Sequence, residues 1–178
     1  MKSFTLLFFI SLSALSGCAS NGNSPVQKVS YTGSGALVIK PIGFNQDAFV
    51  REAVKQECDL DGKLTQFIRE YAANRYASIL TDAAQAPADA QILAVEIQDV
   101  EGAAGGAWSG PKVVMIKGSL SQNGKELGDF KARRYSGGGM FGAYKGTCAI
   151  LVRCVKALGR DVAEWLDNPT AKASLGDL

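Results

Sequence analysis

The sequence predicts an α+β domain: a four-stranded mixed sheet in the order β-α-β-β-β-α, with two parallel helices packed on one face. Three observations predict it. Short runs alternate apolar and polar residues in the period of a strand. Two longer stretches repeat apolar residues every three or four positions, the period of a helix. An Asn-Gly pair, Asn123-Gly124, separates two strand-like runs and marks a two-residue hairpin, since both positions tolerate positive φ.

The elements follow in order. Ala36 to Ile42 is β-prone and meets Pro41, giving a first strand. Gly43 to Glu57 is ambiguous between helix and ordered connection. Leu60, Leu64, Phe67, Ile68, Tyr71, Tyr76, Ile79 and Leu80 predict a long helix over about 60–80, with Asp59 or Asp61 as its cap. Thr81 to Ala90 is an Ala/Pro/Asp linker, and Pro87 bars helical continuation. Leu93, Val95 and Ile97 share one strand face, with Glu96 and Gln98 on the other. Lys112 to Ser121 and Lys125 to Tyr135 are the arms of the hairpin. Leu127 and Phe130 fall out of phase on the return arm, so a β-bulge is expected at Gly128 or Asp129, with Phe130 opposite Gly118. A last helix over about 148–166 buries Leu151, Val155, Leu158, Val162 and Trp165 and stops at Asn168-Pro169. Residues 170–178 are expected to fray. A right-handed crossover makes the first two strands parallel and sets both helices on one face, pointing the same way.

Composition narrows the chemistry. The chain has 178 residues, 47% of them hydrophobic, 20 glycines, four cysteines and no histidine, at a formal net charge of +2. That length is one domain with a sizeable core. The near balance of charge argues against nucleic acid as a partner. Without histidine there is no Ser-His or Cys-His nucleophile, and no histidine-bearing zinc site. Neither an enzyme, a cofactor nor a metal site is expected. Asp59 with Asp61, and Glu96 with Asp99, fit capping and solvation rather than a tuned acid–base pair.

The N-terminal residues carry the firmest motif. A positive start at Lys2 precedes an apolar run, Phe4 to Ile10, too short to span a bilayer but suited to a secretory signal. Leu15-Ser16-Gly17-Cys18 then resembles a bacterial lipobox. The resemblance implies cleavage after residue 17 and acylation of Cys18 by palmitate-type chains. Ala19, in place of aspartate, implies export to the outer membrane. Several acyl chains anchor stably, at roughly 0.8 kcal/mol per buried methylene. Residues 1–17 are thus read as signal peptide, 18–35 as a lipidated flexible tether, 36–169 as a single periplasmic domain and 170–178 as a tail.

The remaining cysteines divide by position. Cys58 precedes the first helix and Cys148 opens the second, so parallel helices bring them to one end. An oxidising compartment favours their pairing. Closing a loop of about ninety residues would stabilise by roughly 4–5 kcal/mol in the chain-entropy view. Cys154 competes for Cys58, but sits about 9 Å further along its helix. It also lies on the buried stripe, where a free thiol serves as a small hydrophobe. No Cys-x-x-Cys motif supports a redox site.

Two glycine-rich stretches, 102–110 with Trp108 and 137–146 with Met140, Phe141 and Tyr144, are connections or a partner-binding lip. On the sheet face away from the helices, Val113, Met115, Lys117, Lys131 and Arg133 are expected together, with Lys112 and Arg134 nearby at strand ends. Trp108, Met115, Lys117, Lys131, Arg133, Met140 and Phe141 are the candidate partner surface. An apolar and basic face suits an anionic partner: a peptide, a lipid head group or peptidoglycan.

With the lipobox come Glu57-Cys58-Asp59-Leu60, Ser136-Gly137-Gly138-Gly139-Met140-Phe141, Lys145-Gly146-Thr147-Cys148-Ala149-Ile150-Leu151 and Ala163-Glu164-Trp165-Leu166. As a set they resemble small Gram-negative outer-membrane lipoproteins of an uncharacterised family. The resemblance implies a lipid-anchored envelope protein and carries no assigned activity. The expected function is a non-catalytic binding or assembly accessory of the cell envelope, whose partner is an envelope protein or peptidoglycan. The alternative is a carrier holding a lipid or other apolar ligand between the helices and a glycine loop.

Overall fold

The computed structural model describes residues 30–102, 112–137 and 146–178. Cys18, Trp108, Met140, Phe141 and Tyr144 lie outside them. Seven strands form one mixed sheet: β1 (Ala36–Ile39), β2 (Gly43–Phe49), β3 (Ser78–Leu80), β4 (Gln91–Glu101), β5 (Lys112–Gln122), β6 (Lys125–Ser136) and β7 (Ala173–Gly176). The helices are α1 (Glu52–Glu57), α2 (Leu60–Ala72) and α3 (Thr147–Trp165). The α+β class with a mixed sheet therefore stands, while the expected four strands and two helices become seven and three.

The strand order is β3-β1-β4-β5-β6-β7, with β2 also paired to β4. β1 and β2 run parallel to β4 one after the other, Ile39 beside Leu93 and Phe44 beside Ile97. They are one strand interrupted at Pro41, which has no N–H to give the ladder. The ambiguous segment thus resolves into a continuation of the first strand and the short helix α1.

The first helix stops eight residues before the expected end. Backbone N–H groups of Thr32, Gly33 and Ser34 donate to the carbonyls of Ala73, Tyr76 and Arg75. Those bonds hold the turn that follows α2, where Arg75 N and Arg75 Nη1 donate to the last helical carbonyls, Ala72 and Tyr71. The contact is so close that a Cβ on Gly33 would fall 1.9 Å from the Arg75 carbonyl carbon. Ile79 then pairs with Leu37 in β3, and the Tyr76 hydroxyl donates to Gln91 Oε1 at 2.8 Å. Tyr76 and Ile79 are buried and Leu80 partly so, but Ile79 and Leu80 belong to β3 and Tyr76 to the turn before it, none of them to a helix. The last residues of the expected tether are accordingly packed on the domain.

Two bulges keep apolar residues facing inward. Between β5 and β6, Leu120 pairs with Gly128 and Ser121 with Glu126, so Leu127 is the extra residue. Phe130 lies opposite Gly118 and Ala132 opposite Ile116, as expected, but the bulge falls at Leu127 and not at the expected Gly128 or Asp129, which puts Gly128 rather than Leu127 opposite Leu120. Gly128 takes that place because the Thr170 backbone passes over it, 2.8 Å from where a Cβ would stand. In β4, Ile97 pairs with Ile116 and Asp99 with Met115, leaving Gln98 as the extra residue. This shift returns Val100 to the core after Leu93, Val95 and Ile97. Asn123 and Gly124, at φ 53° and 75°, make the hairpin turn.

α2 and α3 lie side by side on the sheet. Cys58 and Cys148 are disulfide-bonded at their N-terminal ends, with Cα atoms 4.9 Å apart. Arg75 grips Asp167 just beyond their C-terminal ends, its Nη2 donating to Oδ2 at 2.6 Å. Between the two, a Cβ on Gly159 would stand 2.6 Å from Phe67 Cβ. That glycine sets the closest approach of the helices. Asp59, at φ 46°, precedes α2 without a side-chain capping bond, so the expected cap is not made.

Residues 170–178, expected to fray, are ordered by the sheet. β7 pairs parallel with β6. Lys172 N donates to Asp129 Oδ1, and Trp165 Nε1 donates to the Thr170 carbonyl. Arg134 reaches Asp161 through Nε at 2.8 Å and Nη2 at 2.7 Å, and Asp177 through Nη1 at 3.0 Å. A bidentate guanidinium–carboxylate pair of this geometry is among the stronger polar contacts. It ties the sheet, α3 and the C-terminal segment together.

Candidate interaction face

Directly paired residues of neighbouring antiparallel strands project from the same face, so the sheet register lays out the surface away from the helices. Three rows cross β4, β5 and β6. Glu101, Val113 and Tyr135 form the first; Asp99, Met115 and Arg133 the second; Glu96, Lys117 and Lys131 the third. The expected Met115, Lys117, Lys131 and Arg133 are thus brought together on adjacent strands, with Val113 beside them. Lys131 and Arg133 are exposed, Met115 is half-buried, and Tyr135 is 60% exposed.

Lys112 and Arg134 do not join this face. Both occupy inward positions of their strands, Lys112 fully buried and Arg134 bound to α3. Burial, then the charge of Arg51, lowers the Lys112 ammonium below its ordinary range.

The face is not basic but divided. Sequence alternation places Glu96 on this face but misses Asp99 and Glu101, which complete an acidic column on β4. The bulge at Gln98 is the reason: it turns Asp99 and Glu101 outward. The signal was present in Val100, an apolar residue out of phase with the three before it. Lys117 Nζ lies 2.9 Å from Glu96 Oε2. That bond, with one from Asn45 at 3.0 Å, holds the Glu96 carboxyl below the usual range. Among the described residues, Asp99, Glu101, Lys131 and Arg133 enter no ion pair. Next to these rows, a shallow depression of about 290 Å³ opens over Ala94, Lys117, Ser119, Asp129 and Lys131.

Cys58, Cys148 and Cys154 are placed as structural elements. Cys154 is free and buried, its Sγ 3.6 Å from the Lys112 carbonyl. Burial pushes its thiol up to about 11, leaving almost none as nucleophilic thiolate near neutrality. Among the described residues no group of three acidic, cysteine or histidine side chains is placed to hold a metal. No described helix is long and apolar enough to cross a membrane.

The fold and this face define a class: an α+β domain with helices on one side of a mixed sheet and a polar, charge-divided surface on the other. No protein-family profile and no curated protein matches the chain. Solved structures resemble it in chain course. One is the PelC dodecamer of Paraburkholderia phytofirmans, at 10% identity and a TM-score of 0.46, covering 74% of this chain and 90% of that one. Another is protein XCC0632 of Xanthomonas campestris, assigned to DUF330, at 11% identity and a TM-score of 0.47, covering 78% of this chain and 91% of that one. Identity and scores at this level give no residue-for-residue correspondence.

Proposed function

We propose that the protein is a lipid-anchored accessory of the bacterial cell envelope that binds its partner through the outer face of β4–β6. On this reading it is held at the periplasmic side of the outer membrane by acyl chains on Cys18 and performs no catalysis. The Cys58–Cys148 bridge is the observation that carries most weight. It supports an oxidising compartment independently of the lipobox-like Leu15–Cys18. The exposed rows of β5 and β6 support binding. The interior supports an accessory over a carrier of apolar ligands. Leu64, Ile68, Leu151, Val155, Leu158 and Val162 fill the space between helices and sheet, each no more than 1% exposed.

Replacing the anchor tests this reading. The full chain, produced in a Gram-negative cell with radiolabelled palmitate, is expected to incorporate label and sediment with outer membranes. Cys18→Ser is expected to lose the label and enter the soluble periplasmic fraction. Equal membrane association of both forms would overturn the anchor.

A further inference from the structure

The divided face has a property that a uniformly basic one would lack. Its acidic column on β4 and its cationic column on β6 stand on either side of β5, at matching heights. A twofold axis in the interface plane, running along β5, would lay the β6 column of one copy over the β4 column of the other, row for row. Arg133 would meet Asp99 of a second copy, Lys131 would meet Glu96, and the Tyr135 hydroxyl would meet Glu101. Met115 and Val113 would face their own counterparts at the centre. An axis across the strands would instead set acid on acid and base on base.

We infer that a partner of this face is a second copy of the chain, joined sheet to sheet about an axis along β5. The inference rests on the outer face being the binding surface, as proposed above, and adds the identity of the occupant. Charge complementarity carries it. Within the three rows, the charges outside the Lys117–Glu96 pair are Asp99 and Glu101 on β4 against Lys131 and Arg133 on β6, opposite in sign; further along β6, Asp129 and Glu126 share the face and would meet the β4 positions Ala94 and Ile92. Lys117 would face its counterpart across the axis, and Glu96, 2.9 Å from it, would be shared with the incoming Lys131, so this row keeps one positive charge per copy while the Asp99–Arg133 row is balanced. An isologous contact requires this kind of self-complementary patch. Three strands of about eleven residues present roughly 500 Å² per copy, near the lower limit for a specific interface. Such an area suits association between anchored molecules at high local concentration.

Cysteine pairing in the full, membrane-anchored chain tests the geometry. Met115→Cys lies on the axis and is expected to give a disulfide-linked dimer on mild oxidation. Ser174→Cys, exposed on β7 and far from the axis, is expected to give none. In the Met115→Cys background, Asp99→Arg or Arg133→Asp is expected to reduce the dimer by about tenfold. The two together are expected to restore it, because each reversed charge again meets its opposite. Retention of the Cys58–Cys148 bridge, read by mass mapping, shows that each variant has folded. Equal dimer from both cysteine positions, or no recovery in the double charge reversal, overturns the pairing. Failure of Met115→Cys to dimerise, while photo-crosslinks from the same face reach another protein, overturns it too and leaves the accessory reading intact. A face that crosslinks to nothing removes both.

Discussion

Single residues in this protein are tuned by burial and by neighbouring charge, and the consequences can be measured. Cys154 is the free thiol among the described residues, and its raised pKa follows from burial first, then from the charge of Asp177. In a Cys18→Ser chain, so that the N-terminal cysteine does not report, a thiol reagent at pH 7.5 is expected to modify no cysteine of the folded protein. After unfolding without reductant it is expected to modify one. Rapid modification of the native chain would contradict the buried placement. Asp167 behaves oppositely. Its hydrogen bond to Arg75, opposed by slight desolvation and aided by the Arg75 charge, holds its carboxyl below the usual range. A carboxyl with a depressed folded pKa stabilises above its unfolded value, near 4, and that contribution is lost as pH falls through the folded value. Because Asp167 is largely exposed, the gain is discounted to under about 1 kcal/mol. Asp167→Asn is therefore expected to lower the urea midpoint slightly at pH 7 and to match the parent at pH 2.

At the scale of elements, what the sequence reveals depends on whether a segment's partners are local. The β5–β6 hairpin is legible because Asn123-Gly124 sets its turn, and the phase of Leu127 and Phe130 against Gly118 demands a bulge. α3 is legible because its apolar stripe is unbroken from Leu151 to Trp165. The end of α2 is not legible. Helical spacing continues through Tyr76 to Leu80, and the termination comes from N–H groups of residues 32–34, some forty positions away. β7 is illegible for the same reason. Ala173–Gly176 has no strong strand signal, and its order comes from β6, Asp129 and Arg134. A chain ending at Pro169 would lose β7, the acceptor of the Trp165 indole and the Asp177 carboxylate. Its expected destabilisation is on the order of 3 kcal/mol, from the charged hydrogen bonds alone, read as a lower urea midpoint. An unchanged midpoint would return residues 170–178 to the status of a tail.

At the scale of the molecule, the sheet separates the packed face from the one we propose for recognition. Its inner face carries the core, and a bridge closing a sequence separation of 90 residues adds roughly 4–5 kcal/mol in the chain-entropy view. Its outer face carries charges that contribute little to folding and are free to meet a partner. Half of that surface was legible: Met115, Lys117, Lys131 and Arg133 follow from strand alternation. Glu96 follows from it too, whereas Asp99 and Glu101 are hidden behind one extra residue in β4. A photo-crosslinker placed in intact cells tests the central claim, that recognition uses the outer face, most directly. One variant carries it at Lys131 on that face, another at Lys156, exposed on α3 above Phe67. The account predicts covalent products from position 131 and none from 156. Products from 156 alone would contradict it.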